Sequence, residues 1–223
     1  VADVARTLDR YLDVLAARVF RHEHLEEMAR HAAAPVINLL SDLEHPCPAM
    51  ADLQTIAEHR PLPETVVAYL GDGINVCHSL MTAGAMAGMH IRVAAPAGYE
   101  PDASVVARAV EFAAASGGSV KSTVPADEAV SGAHVVYTDV WTSMGQETEA
   151  EERRRRLAEY QVDGARFARA DDDAIFLHCL PAHRGEEVTA DVIEHARSMV
   201  FDQAENRMHA FKAVLLWTMG KLP

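Results

Sequence analysis

Apolar residues recur along the chain in short blocks, separated by stretches whose polar and apolar positions alternate at helical spacing. Val4, Leu8, Tyr11 and Leu12 share one face of a helix over 3–13. Val14 to Phe20 reads as a strand with Arg18 near its end, His24 to His31 as a polar helix, and Pro35 to Leu39 as a second strand that opens on proline, as strands allow. A helix over 49–60 ends before Pro61 and Pro63, and those prolines mark a domain boundary. Beyond them Val66 to Leu70 forms a buried strand, followed by Gly71-Asp72-Gly73-Ile74-Asn75. Then come a helix from about Cys77 to Ala87, a strand at Ile91 to Ala95, and a helix over 103–115 stopped by Gly117-Gly118. Further strands are expected near Val120 and at His134–Thr138, Ala174–His178 and Met199–Asp202. The last helix, Glu205 to Met219, puts Met208, Phe211, Leu215 and Met219 on one packing face.

Strands alternating with helices predict an α/β fold with a doubly wound parallel sheet. The helix-strand-helix-strand run before residue 58 predicts a second, partial α/β lobe, since two strands are few for such a domain. The expected division is 1–57, 58–201 and a closing helix over 202–223 that crosses back to the first lobe.

A formal net charge of −13 argues against nucleic acid and anionic membrane as partners. It leaves room for a small anionic substrate held by a few local arginines. The cysteines, Cys47, Cys77 and Cys179, are few and odd in number, which fits a reducing cytoplasm better than a disulfide framework. No signal-peptide pattern and no apolar run long enough to span a bilayer is read. The stretch Glu149 to Arg156 places an acidic block before four arginines, with Glu149–Arg153, Glu151–Arg155 and Glu152–Arg156 as i,i+4 pairs. It is read as a solvated helix, not as a nucleic-acid patch.

The richest candidate chemistry follows the apolar run Ala174-Ile175-Phe176-Leu177. That run ends in His178-Cys179-Leu180-Pro181, and Pro181 cannot continue a sheet ladder, so the chain turns there. Ligands of open α/β sheets bind beyond the carboxyl ends of strands, so a thiol and an imidazole at that turn are site candidates. Taken alone they read more simply as a buried Cys and a hydrogen-bonded His. Gly71-Asp72-Gly73 resembles the start of a dinucleotide fingerprint, but Val76 stands at the third glycine position and no ribose-binding acid ends the next strand. His178, Cys179 and His183 make a poor metal set, because one tight turn does not wrap three ligands around an ion.

Three further stretches change the weighing: His45-Pro46-Cys47-Pro48-Ala49-Met50-Ala51-Asp52-Leu53, Asp139-Val140-Trp141-Thr142-Ser143-Met144-Gly145-Gln146-Glu147, and Ala204-Glu205-Asn206-Arg207-Met208. With the His-Cys-Leu-Pro turn they resemble the transcarbamylase family, in its ornithine carbamoyltransferase branch, from about Asp3 to the C-terminus. The resemblance implies attack of the ornithine δ-amine on carbamoyl phosphate, giving citrulline and phosphate in arginine metabolism. It implies no metal or organic cofactor, and a homotrimer. By resemblance, Arg18, His45 and Arg207 match carbamoyl phosphate residues, His45 donating to the carbonyl oxygen. Asn75, Asp139, Ser143 and Met144 match ornithine residues, with Asp139 taking the α-amino group. Cys179 and the Leu180 carbonyl would orient the side-chain amine, with no covalent role implied for Cys179. Ser143-Met144-Gly145 corresponds to a loop that closes over ornithine in the family.

Two departures from the family pattern are visible. Its phosphate-binding Ser-Thr-Arg-Thr stretch does not occur in this sequence and is expected upstream of Val1. Pro48 stands where the family carries Gln, a side-chain donor. Two classes of function therefore stay open: a carbamoyltransferase, and a non-catalytic relative that keeps the amino-acid site and serves as a binding subunit.

Overall fold

A computed structural model describes residues 1–122, 125–142 and 147–222. The first lobe holds α1 (Ala2–Leu8), β1 (Leu15–Arg18), α2 (His22–His31), β2 (Val36–Leu40) and α3 (Pro46–His59). β1 and β2 pair in parallel. The rest of the chain continues with β3 (Val66–Leu70), α4 (Asn75–Met86), β4 (His90–Ala94), α5 (Ala103–Ser116), β5 (Ser119–Lys121), α6 (Ala126–Val130), β6 (Val135–Thr138), α7 (Ala150–Leu157), α8 (Gly164–Phe167), β7 (Ile175–Leu177), α9 (Ala190–Ile193) and α10 (Val200–Thr218).

The second sheet has the order β5-β4-β3-β6-β7, every pair parallel. Side chains alternate across it. Val67, Tyr69, Ile91, Val135, Tyr137, Ile175 and Leu177 pack with α4 and α5 on one face, while Ala68, Leu70, Val136 and Phe176 pack with α6, α8 and α9 on the other. Both faces are covered, which is why these strands read as continuous apolar runs and not as alternating ones. The strand order reverses at β3, so the carboxyl ends of β3 and β6 flank a switch-point crevice.

The differences from the sequence reading have physical causes. Met199–Asp202 is not a strand. Met199 N–H donates to the Phe176 carbonyl beside β7, and Val200 already opens α10 with its side chain buried in the sheet's core. A four-residue apolar run serves equally as a strand or as the buried first turn of a helix, and periodicity does not separate the two. α3 begins at Pro46 instead of 49, because Pro46 and Pro48 occupy the first turn, where no backbone N–H is required. The short helices α6, α8 and α9 carry too little periodicity to be read.

The solvated reading of 149–156 fails at Arg153, which is 5% exposed. Its guanidinium forms an ion pair with Asp72, itself 2% exposed, and lies 4.9 Å from the Tyr99 ring centroid. Its Nε donates to the Trp141 carbonyl. Of the three expected helix pairs, Glu149–Arg153 is seen at 3.7 Å, whereas Arg154 pairs with Glu186 at 2.9 Å and Arg156 reaches the Ala97 carbonyl at 2.6 Å. This one buried pair fastens α7 to the loop after β3.

α10 packs along α3 through a polar seam. Asn206 donates to Thr55 Oγ1 at 3.0 Å and to Glu58 at 2.9 Å, and accepts from Gln54 at 2.9 Å.

Candidate functional site

Three strand ends of the second sheet supply one wall of a cleft of about 300 Å³. After β3 the chain passes Gly71, whose φ of +124° excludes most side chains, and reaches Asn75 at the start of α4. After β6 comes Asp139, and after β7 come Cys179 and Leu180. The cleft is also lined by Arg18 at the end of β1, His45 at the N-cap of α3, and Arg207 on α10. Arg18, His45, Asn75, Asp139, Cys179, Leu180 and Arg207 thus all line the same cleft, although up to 189 positions separate them in sequence. Ser143 and Met144, also expected here, lie outside the described residues.

Cys179 is 8% exposed, and its thiol donates to Asp139 Oδ1 at 3.1 Å. Burial, reinforced by the Asp139 charge and hydrogen bond, pushes the thiol well above its ordinary range. It is therefore a neutral donor at physiological pH and no thiolate nucleophile. Arg207 Nη1 donates to the Cys179 carbonyl at 2.9 Å.

Leu180 sits at φ +53° before a cis Leu180–Pro181 bond. Its N–H donates to His178 Nδ1 at 2.9 Å, so that nitrogen is an acceptor and the neutral ring carries its proton on Nε2. His178 Nε2 lies 3.3 Å from Glu187 Oε1, without the alignment of a full hydrogen bond, and both residues are fully buried. Glu187 Oε1 also accepts the His183 backbone N–H at 2.5 Å.

His45 is buried, and its backbone N–H donates to Ser79 Oγ at 2.8 Å. Desolvation lowers its imidazole to about 4, helped by the Arg207 and Arg18 charges and opposed by a hydrogen bond with the Leu39 backbone. The ring is neutral near pH 7, and among the described residues its Nδ1 has no hydrogen-bond partner. Asn75 is differently occupied. Its Nδ2 donates to the Ser41 carbonyl at 2.7 Å, and its Oδ1 accepts the Val76 N–H at 2.8 Å. Its amide therefore ties α4 to the loop after β2. His78 does the same one turn on, with Nδ1 2.8 Å from the Leu43 carbonyl and Nε2 accepting the Asp102 N–H at 2.9 Å.

The ligand atoms of Asp139, His178 and Cys179 lie within 4.8 Å of one another, and His183 groups instead with Glu186 and Glu187. The hydrogen bonds from Cys179 to Asp139 and from Leu180 N–H to His178 account for the first cluster.

Sequence reasoning missed Gln203, Asp52, His78, Ser79 and Arg153. Gln203 precedes Arg207 by four positions, one turn on the same helix face, and that spacing was its only available signal.

Two family models match the chain. The carbamoyl-P binding domain of aspartate/ornithine carbamoyltransferase covers residues 1–58, and the Asp/Orn binding domain covers residues 64–218. The ornithine carbamoyltransferase of Thermococcus kodakarensis is 54% identical over 99% of this chain and 70% of its own length. The solved structure of the ornithine carbamoyltransferase from Pyrococcus furiosus superposes with a TM-score of 0.95 at 52% identity, covering 100% of this chain and 71% of that one. A solved N-acetyl-L-ornithine transcarbamylase is more distant, at 28% identity and a TM-score of 0.85 over 96% of this chain and 71% of that one. The parallel sheet with its switch-point cleft, the identity along nearly the whole chain and the match to both domain models make one case: this chain belongs to the aspartate/ornithine carbamoyltransferase family of transferases.

Proposed function

We propose that the protein transfers the carbamoyl group of carbamoyl phosphate to the δ-amine of L-ornithine, giving citrulline and phosphate. The observation that carries the reading is the meeting of two chemistries in one cleft: the Arg18 and Arg207 guanidinium groups and the Cys179–Asp139 donor–carboxylate pair line the same cavity. Arginine forks suit a phosphate and Asp139 suits an ammonium group, while neutral His45 would serve a carbonyl oxygen that gains charge by turning its single N–H from the Leu39 backbone to the substrate. The Leu180 carbonyl and the Cys179 sulfur would orient the δ-amine, while Asn75 with Ser143 and Met144 would hold the amino-acid end. In this reading residues 1–57 form the carbamoyl phosphate lobe, 58–201 the ornithine lobe, and 202–223 the helix returning to the first. The assembly would be a homotrimer. Three unpaired thiols fit a reducing compartment, so the working place would be the cytoplasm.

A second reading, a non-catalytic amino-acid-binding subunit, draws on Pro48. That residue is buried in the first turn of α3 and offers no side-chain donor.

Calorimetric titration with ornithine and carbamoyl phosphate, singly and together, with a citrulline assay on the same samples, tests both. Carbamoyl phosphate binding with citrulline formation is the expected result. Ornithine binding alone, without carbamoyl phosphate binding or turnover, would replace it with the second reading. A parallel assay with N-acetyl-L-ornithine should give no product, because Asp139 is matched to a free α-ammonium.

A further inference from the structure

The cysteine turn is gripped from one helix. Arg207 donates to the Cys179 carbonyl at 2.9 Å, and one turn earlier on α10 the Oε1 of Gln203 accepts the His178 backbone N–H at 2.9 Å. The N–H of His178 and the C=O of the next residue, Cys179, are thus held by residues four apart on the same face. Gln203 is 1% exposed, and its amide has one orientation only. The His178 N–H donates, so Oε1 must face it, and Nε2 then donates to Asp52 Oδ1 at 2.5 Å, with Tyr137 Oη 3.2 Å away. Asp52, 1% exposed, stands on α3 two turns beyond His45. A continuous line of hydrogen bonds therefore runs from the helix capped by His45, through Asp52 and Gln203, to the backbone just before Cys179.

We propose that Gln203, backed by Asp52, is a positioning residue that sets the Cys179–Leu180 turn relative to the helix bearing His45. This deepens the carbamoyltransferase reading and rests on it for its catalytic consequence. Asp52 Oδ2 has no hydrogen-bond partner among the described residues, so this carboxyl is committed to Gln203 and to Tyr137 nearby. Its other charged neighbours are Arg207 on α10 and Asp139 after β6. Burial raises it to about 7, which fits a group kept in place for its hydrogen bond and not for an ion pair.

The test compares four proteins: wild type, Gln203→Leu, the exchange of Gln203→Glu with Asp52→Asn, and Asn206→Ala. The exchange variant rebuilds the line with acceptor and donor swapped. Asn206→Ala breaks the same α3–α10 seam without touching the turn. Amide hydrogen exchange of a peptide covering 174–182 reads the turn, and steady-state kinetics reads its consequence. Gln203→Leu should exchange at His178 at least about tenfold faster. Its kcat should fall by roughly 10- to 100-fold, while KM for carbamoyl phosphate changes by less than about threefold. The exchange variant should return both readouts to near wild type, and Asn206→Ala should move neither.

A folded Gln203→Leu with unchanged exchange at His178 overturns the proposal. So does an Asn206→Ala variant that loosens the turn equally, because the role would then be general packing. Should Gln203→Leu fail to fold, the exchange variant decides: a protected His178 supports the proposal and a loosened one overturns it. A wild type that makes no citrulline refutes the parent reading instead, and hydrogen exchange still judges the role of Gln203.

Discussion

Asp72 and Arg153 form an ion pair whose side chains are 3% and 6% exposed, between the loop after β3 and helix α7. Removing one partner of such a pair leaves the other charge desolvated, at a cost of about 3–5 kcal/mol. Asp72→Ala strands the guanidinium under the Tyr99 ring. Arg153→Met strands the carboxylate and also frees the Trp141 carbonyl, which adds about 1 kcal/mol for the lost hydrogen bond. Glu149, 3.7 Å from Arg153 but 64% exposed on its side chain, compensates little. Each single variant should lower Tm by roughly 6–20 °C for a chain of this size. The double variant should lose far less than the sum, because an apolar pair of similar volume is often tolerated. Urea unfolding followed by circular dichroism, run as a double-mutant cycle, reads all three. A single variant costing under about 1 kcal/mol, the range of an exposed pair, would refute the buried-anchor reasoning and restore the solvated reading of the acidic–basic stretch.

Gly73→Ala should destabilise by about 1–3 kcal/mol in the same unfolding assay, since the new Cβ would meet the Pro101 backbone nitrogen and lie 2.8 Å from the Glu100 carbonyl carbon. At pH 7.5 Cys179 should be alkylated by iodoacetamide orders of magnitude more slowly than a free thiol, measured by peptide mass spectrometry, and rapid labelling would contradict a buried thiol kept protonated. His45, lowered to about 4, contributes stability that is full above 6.5 and is lost as pH falls toward 4, whereas Asp52, raised to about 7, contributes stability that is full below 3.8 and is lost as pH rises through 7. Asp52→Asn removes the second slope, so it should gain stability relative to wild type by up to about 4 kcal/mol between pH 4 and 7, and a pH-independent difference would refute the assignment.

The sheet was legible where burial on both faces left apolar runs. Val66–Leu70 matches β3 at both ends, and the alternation of strands with helices predicts the parallel sheet, whereas the strand order that makes the switch point comes from the structure. Met199–Asp202 was not legible, because the same few apolar residues close a sheet or open a helix according to what covers them. Arg153 was misjudged for a related reason. Its local neighbours neutralise it on paper, but its true partner, Asp72, lies 81 positions away. The cleft's residues were readable not one by one but jointly, through the resemblance of their motifs to those of a family. Their connections were not. Asn75 meets Ser41 across 34 positions and Gln203 meets Asp52 across 151, and nothing in the linear pattern marks either contact.

The protonation states of the cleft constrain how the proposed reaction proceeds. Cys179 is held as a thiol and His45 as a neutral imidazole, so neither the nucleophile nor the proton donor of a covalent route is preformed. The cleft instead carries permanent charges of both signs: Arg18 at the end of β1 and Arg207 on α10, with Asp139 after β6. A net charge of −13 is compatible with an anionic substrate here, because two guanidinium groups line the cleft and stand closer to a bound anion than the acidic outer surface does. An anion docked on the arginines and an amine docked by Asp139 would meet over the Leu180 carbonyl and the Cys179 sulfur, so rate enhancement would come from proximity and from donors aimed at the developing charge. Such a mechanism is sensitive to where the turn stands. A residue that never touches substrate but fixes the His178 backbone then matters as much as one that does.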